Sequence, residues 1–490
     1  MRRSPVAPPV RRSRRRFHAL AGTAAAAVLS ALFPASALAH GIVVREDLPI
    51  PRSLFIAAAG TVLIVSFLGL AVLWPQPQLE GRSWRPLPGG AGRLLAARAP
   101  QALAGGLGAF VLAVVLWSGF DGRQLVTDNF APTFVYVIFW VGLVPASVLF
   151  GDVFRALNPW RAIARAFAWV AGRIARGRLP APLPYPAWLG RWPAVVGIVV
   201  FAWLELVYQQ GAQPNRLAIA TFLYSGFTFA GMSLFGIEAW LDRGEAFSVY
   251  FNLFSRISPF ERRQGRIGLR RPLSGLTSLD SSTPGTVALL AVMIGGITFD
   301  GVSEGPLWIG VKPSLIHFFM SIGAPTAGAA QLSSTVGLAI SILAVFALYA
   351  FGIAGVRRTV GGGSSSRIAD AFVHSLVPIA VAYVGAHYLS FLVTQGQAIV
   401  PLASDPLARG WNLFGTAEVT VNYGVLGTRM TWYLQVALVV AGHVAALMSA
   451  HDRALALYPD GREAIRSQYW MLGVMVAFTT LALVLLAQSA

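Results

Sequence analysis

The residues best able to do chemistry in this chain are ionisable groups set inside long apolar stretches. A charge placed there costs roughly 2.5–3.5 kcal/mol or more, so a bundle keeps few of them and spends them on function or on interhelical contacts. They are Glu205, Glu238, Asp300, Asp370, His374, His387, His443 and His451. Tyr383, His387, Ser390 and Thr394 follow steps of four, three and four, which predicts one shared helical face. Asp370 and His374 are four apart and can pair. His374 and His387 lie about 20 Å apart along a helix and roughly 220° around it, so they cannot share one compact site.

Depth sorts these groups into two layers. The inner layer holds Asp370, His374 and His443, with Glu238 and His451 at its margin; the outer layer holds His387, Glu205 and Asp300. Three chemistries fit. The groups could relay protons in a coupled transporter, because histidine titrates near neutrality and buried carboxylates shift. They could bind a divalent transition metal or a haem, with His374 and His443 as ligands on facing helices. They could hold a metal-bound water for hydrolysis. The plain alternative is that each is a hydrogen-bonded helix contact. A further constellation, Asp300, Glu304 and His317, lies at the outer mouth, but its spacing matches no tight metal motif. The Asp-Gly pairs at Asp121-Gly122 and Asp300-Gly301 read most simply as turns.

These residues need a scaffold, and the composition names it. Of 490 residues 56% are hydrophobic and 12% charged, about half the charged fraction of a soluble domain. The chain has no cysteine, which excludes disulfides, thiolate metal sites and cysteine nucleophiles. Apolar runs long enough for a bilayer core of roughly 30 Å fall at about 52–74, 102–120, 132–152, 192–210, 215–240, 284–300, 333–355, 369–393, 429–451 and 467–488. The expected fold is an all-α polytopic bundle of about ten spans covering residues 40–490.

Residues 1–39 read as a signal peptide. Arg11–Arg16 is a basic start, Ala19–Leu32 an apolar stretch, and Ala37-Leu38-Ala39 a small-x-small cleavage site; an uncut first helix is the alternative. The run Ser13-Arg14-Arg15-Arg16-Phe17 partly matches a twin-arginine motif, with His18 where leucine is usual. Cleavage exposes His40, whose terminal amine and imidazole together can chelate copper, or which simply follows the cut.

The net charge of +18 does not signal nucleic acid. Seven arginines lie in the first sixteen residues, and the other 31 basic residues sit in short loops. With the mature N-terminus outside, five cytoplasmic loops hold 24 of those and the external segments hold seven, which orients both termini to the periplasmic side of a bacterial inner membrane. Pro159–Arg176 and residues 245–260 read as amphipathic segments on anionic headgroups. A faint repeat links Leu149-Phe150-Gly151-Asp152 and Val153–Trp160 with Leu234–Glu238 and Leu253–Phe260.

Four stretches carry a family resemblance: His40–Pro51, Leu157-Asn158-Pro159-Trp160-Arg161, His374–Ala380 and His451–Leu457. Together they resemble the bacterial polytopic membrane proteins commonly named fenitrothion hydrolase. That resemblance implies cleavage of a phosphorothioate triester, a reaction usually driven by metal-activated hydroxide. The sequence offers neither closely spaced metal-binding histidines nor a Gly-x-Ser-x-Gly elbow. The leading expectation is therefore transport or handling of a small solute, proton or transition metal through Glu205, Asp370, His374, His387 and His443. A membrane hydrolase using Asp300, Glu304 and His317 comes next, and a membrane scaffold or assembly factor third.

Overall fold

The computed structural model describes residues 52–80, 83–176, 180–361 and 364–489. The expected signal peptide and His40 lie outside the described residues. Within them, eight helices are long and apolar enough to cross a membrane, so the chain is a membrane protein with a helical architecture. We label α1 Arg52–Leu73, α2 Arg98–Asp121, α3 Phe130–Phe150, α4 Pro159–Ile174, α5 Trp192–Leu206, α6 Pro214–Phe235 and α7 Ala246–Ser255. Next come α8 Thr286–Ser303, α9 Pro306–Ser321, α10 Thr326–Val360, α11 Ser365–His387, α12 Leu389–Ser404, α13 Thr428–Leu457 and α14 Tyr469–Ser489. The expected spans at 52–74 and 192–210 correspond to shorter apolar stretches, Ala57–Leu73 and Trp192–Leu206.

Helices α8 and α11 form the centre: 72% of each apolar window is buried, against 22% for α2. The outer helices turn large apolar side chains outward, as at Leu103, Phe110, Phe222 and Leu343, which are all more than half exposed. In water that surface would be prohibitive; against lipid it is the expected one. Trp308 on α9 and Phe299 on α8 lie across Gly337 of α10, where a Cβ would come within 2.5 Å of either ring. Only glycine allows that approach.

Three local structures differ from the expectation. A small antiparallel sheet joins two loops, with β1 Trp84–Pro86, β2 Phe260–Arg263 and β3 Arg266–Arg270 in the order β1-β3-β2. Gln264 and Gly265 both take positive φ, 48° and 71°, the backbone a two-residue hairpin turn demands. Next, residues 246–255 do not lie on headgroups. Helix α7 is buried on nearly every side, because aromatic and aliphatic residues surround it rather than forming one stripe. Glu245 caps it, accepting from the Phe247 and Ser248 amides at 2.9 and 2.8 Å and from Tyr224 and Asn158. Third, α3 is π-helical from Thr133 to Gly142, a wider coil that changes which side chains share a face.

The faint repeat has a structural counterpart. Gly151 and Gly236 end α3 and α6 with φ of 88° and 87°. The segments that follow pack against one another: Asn252 donates to Asp152 at 2.9 Å, Asn158 to Ser248 at 3.0 Å, and Ser258 to the Leu149 carbonyl at 3.3 Å.

The stretch His451-Asp452-Arg453 is a clamp on the chain after α1. Asp452 accepts from Trp74 Nε1 and from the Gln78 and Leu79 amides, His451 meets the Trp74 carbonyl and Gln468, and Arg453 pairs with Glu80 at 2.9 Å.

Candidate functional site

Helices α5 and α8 begin together, because the Arg191 guanidinium donates to Thr286 and to the Asp280 carbonyl. They run side by side, with Gly296 against Ala202. Glu205 and Asp300 lie thirteen and fourteen residues beyond those starts, so both arrive about 20 Å further along the bundle. Helix α11 ends at His387, and a break at Tyr388 separates it from α12. The level where α5, α8 and α11 deliver these side chains is the candidate site.

Its centre is Asp300. One carboxylate oxygen, Oδ2, accepts from the Tyr388 hydroxyl at 2.7 Å and lies 2.9 Å from His387 Nε2. Asp300 and His387 are about one-fifth exposed, while Tyr388 is buried. Glu205 stands within electrostatic reach of Asp300, Tyr136, Tyr250 and Tyr388. Among the described residues no hydrogen bond or ion pair engages Glu205, and the buried Tyr250 hydroxyl has no partner. Tyr136 donates to the Gly211 carbonyl at 2.9 Å. Asp300, His387 and Tyr388 are thus in hydrogen-bond contact, Glu205, Tyr136 and Tyr250 lie in the same electrostatic neighbourhood, and among the described residues no arginine or lysine pairs with either acid.

The outer-layer residues Glu205, Asp300 and His387 are thus neighbours. Asp300-Gly301 is not a turn: both residues lie inside α8, which continues to Ser303. The face expected to run from Tyr383 to Thr394 is broken at Tyr388. Tyr383 donates to the Phe478 carbonyl and Thr394 to its own helix. Glu304 and His317 are exposed, and neither is bonded to Asp300.

The inner-layer residues stay apart. His374 and His443 are buried on the packed helices α11 and α13, and the Nε2 atom of each lacks a partner. His443 Nδ1 holds the Val439 carbonyl at 2.8 Å. Asp370 and His374 form no pair. A tight 3-10 turn at Val373–Ser375 rotates His374 away from the Asp370 face and toward the backbone of Ala371 and Ser449. Glu238 lies outside the span, in the short helix Ile237–Arg243, and takes Arg155, Arg161 and Arg165 at 2.6–3.2 Å. Burial alone would lift its carboxyl, but the three guanidiniums outweigh that and hold it below the ordinary glutamate value.

Among the described residues no three His, Asp or Glu side chains converge on a point that could hold a metal ion. Tyr388, Tyr250 and Tyr136 are the site members that sequence reasoning passes over, because a tyrosine in an apolar run reads as packing. The adjacency His387-Tyr388 at the end of an apolar stretch is the signal that points to one of them. No known family model, curated protein or solved structure matches this chain.

Proposed function

We propose that the protein carries a small solute across a bacterial inner membrane, coupled to proton binding at Glu205, Asp300, His387 and Tyr388. The observation that carries this reading is the Asp300 carboxylate held between His387 and Tyr388, with a second, unpaired carboxylate, Glu205, in its field. The structural acids are matched, Glu238 by arginines and Glu245 by amides and a hydroxyl, whereas among the described residues Glu205 has neither cation nor donor. Two acids in each other's field with one imidazole between the helices keep at least one proton among them, because neighbouring carboxylates resist ionising together, and that proton is the one moved in the proposed transport.

Orientation follows from charge. The five loops that hold 24 basic residues face the cytoplasm and both ends of the mature chain face outward. Helix α4 then lies along the inner headgroups. Phe167, Trp169 and Ile174 are 74%, 63% and 79% exposed, ready for the acyl boundary, and Arg173 sits beside anionic lipid.

Proteoliposomes loaded with a pH-sensitive dye test the proposal under an imposed potassium diffusion potential. Wild-type protein should pass protons, and Glu205→Gln or Asp300→Asn should cut the flux at least tenfold. Flux that is equal in all three would refute the role of these acids. Chelator-sensitive turnover of a phosphotriester by the wild type, lost in Asp300→Asn, would replace transport with hydrolysis.

A further inference from the structure

A cavity of about 320 Å³ lies among α2, α3, α5 and α6, floored by α7 and the start of α4. Helices α5 and α6 follow each other in sequence but hardly touch, and the space between them is part of the void. The π-helical coil of α3 turns Phe134, Ile138 and Phe139 into it, while Tyr136 points elsewhere and donates to the Gly211 carbonyl. We infer that this cavity holds one hydrocarbon chain of a membrane lipid, admitted sideways from the bilayer.

Three observations carry the assignment. The first is chemical. The wall has three polar side chains, and each is already spent: Trp160 Nε1 donates to Ser225 at 2.8 Å, Thr221 to the Leu217 carbonyl at 2.8 Å, and the Tyr224 hydroxyl to Glu245. Water or a polar solute would find no partner there, and an apolar cavity without partners stays dry. The second is access. Leu107 and Val200 line the cavity and are 56% and 59% exposed, more than the walls of a closed void would be, so the space opens to the outside of the bundle. The third is size. The volume is at the lower end for a ligand site, enough for a single chain and too small for a two-tailed lipid. A chain entering from lipid gains no hydrophobic free energy, since it leaves hydrocarbon for hydrocarbon. What holds it is the dispersion contact that an empty cavity forfeits. The site shares no residue with the acid cluster, so this assignment stands apart from the proposed transport.

Photolabelling tests it on the intact protein. Wild-type chain is placed in nanodiscs of phosphatidylethanolamine and phosphatidylglycerol, with a fraction of phospholipid carrying a diazirine in one acyl chain, then irradiated and mapped by peptide mass spectrometry. Phe201 and Phe247 are buried, at 8% and 6% exposure, and can be reached only from inside the cavity. Labels on them are the expected result, beside general labelling of Phe222 and Leu343. Labels confined to the exposed faces would overturn the assignment. In the double variant Val111→Trp, Ala220→Phe, which fills the space, labelling of Phe201 should fall at least tenfold while Leu343 is unchanged. Undiminished labelling of Phe201 in a folded double variant would equally overturn it. Should that variant fail to fold, the wild-type label map alone decides.

Discussion

An unpaired carboxylate in an apolar bundle must either carry a proton or find a cation, and Glu205 has no cation beside it. Its counterpart Asp300 is held from two sides by His387 and Tyr388. Removing the Tyr388 hydroxyl with Tyr388→Phe should leave a folded protein in which one strong hydrogen bond to a charged group is lost. We expect a loss of about 1.5–3 kcal/mol in detergent unfolding, and a proton flux changed in rate rather than abolished. His374 and His443 belong to the packing between α11 and α13. Replacing either with alanine should lower stability by about 2 kcal/mol through the cavity left behind, yet spare proton flux. A flux lost in His443→Ala at unchanged stability would contradict that assignment. At this scale the sequence was partly legible. Depth arithmetic alone brought Glu205, Asp300 and His387 to one level, because straight helices convert residue number into height. The tyrosines were not legible, since their hydroxyls matter only through neighbours on other elements, 75 residues away for Tyr136 and 88 for Tyr388.

Helices reveal themselves in a sequence when they are long and apolar, and the long ones here fall where hydropathy puts them. Short elements do not. Helix α7 reads as an amphipathic surface segment, but it is buried on nearly every side, with aromatic rings of α3 and α5 against Phe247 and Tyr250, a tertiary fact with no local signature. The sheet is similar: its strands come from loops some 180 residues apart, and only the turn at Gln264-Gly265 is local. The burial of α7 has a consequence. Glu245 satisfies its first amides with no water to substitute, so Glu245→Ala should destabilise by about 2–3 kcal/mol, more than an exposed cap would. Circular dichroism melts of the purified protein read this directly. The Glu238 cluster makes a pH prediction with a fixed sign. A carboxyl whose folded value is depressed contributes stability above its unfolded value, here 4.5, and loses it as pH falls through the lower folded one. Stability should therefore be insensitive to this group from neutrality down to about pH 4.5 and decline below it, and Glu238→Gln should flatten that part of the curve. Because Glu238 is 43% exposed, the screened contribution is about 1 kcal/mol.

Taken whole, the molecule is a bundle with two kinds of interior. One is the dry cavity among α2, α3, α5 and α6, whose polar atoms are all satisfied; the other is the polar level where α5, α8 and α11 converge. The π-helical coil of α3 lines the first with Phe134 and Phe139, and its Tyr136 lies within electrostatic reach of Glu205 in the second. In the proposed transport, Glu205 and Asp300 exchange a proton as a linked group with His387 and Tyr388. Infrared difference spectroscopy across a pH titration measures this without knowledge of the solute. The expected result is a carboxylic-acid carbonyl band that titrates in the wild type, disappears in Glu205→Gln and shifts in His387→Ala. A titration spectrum identical in wild type and Glu205→Gln would contradict it.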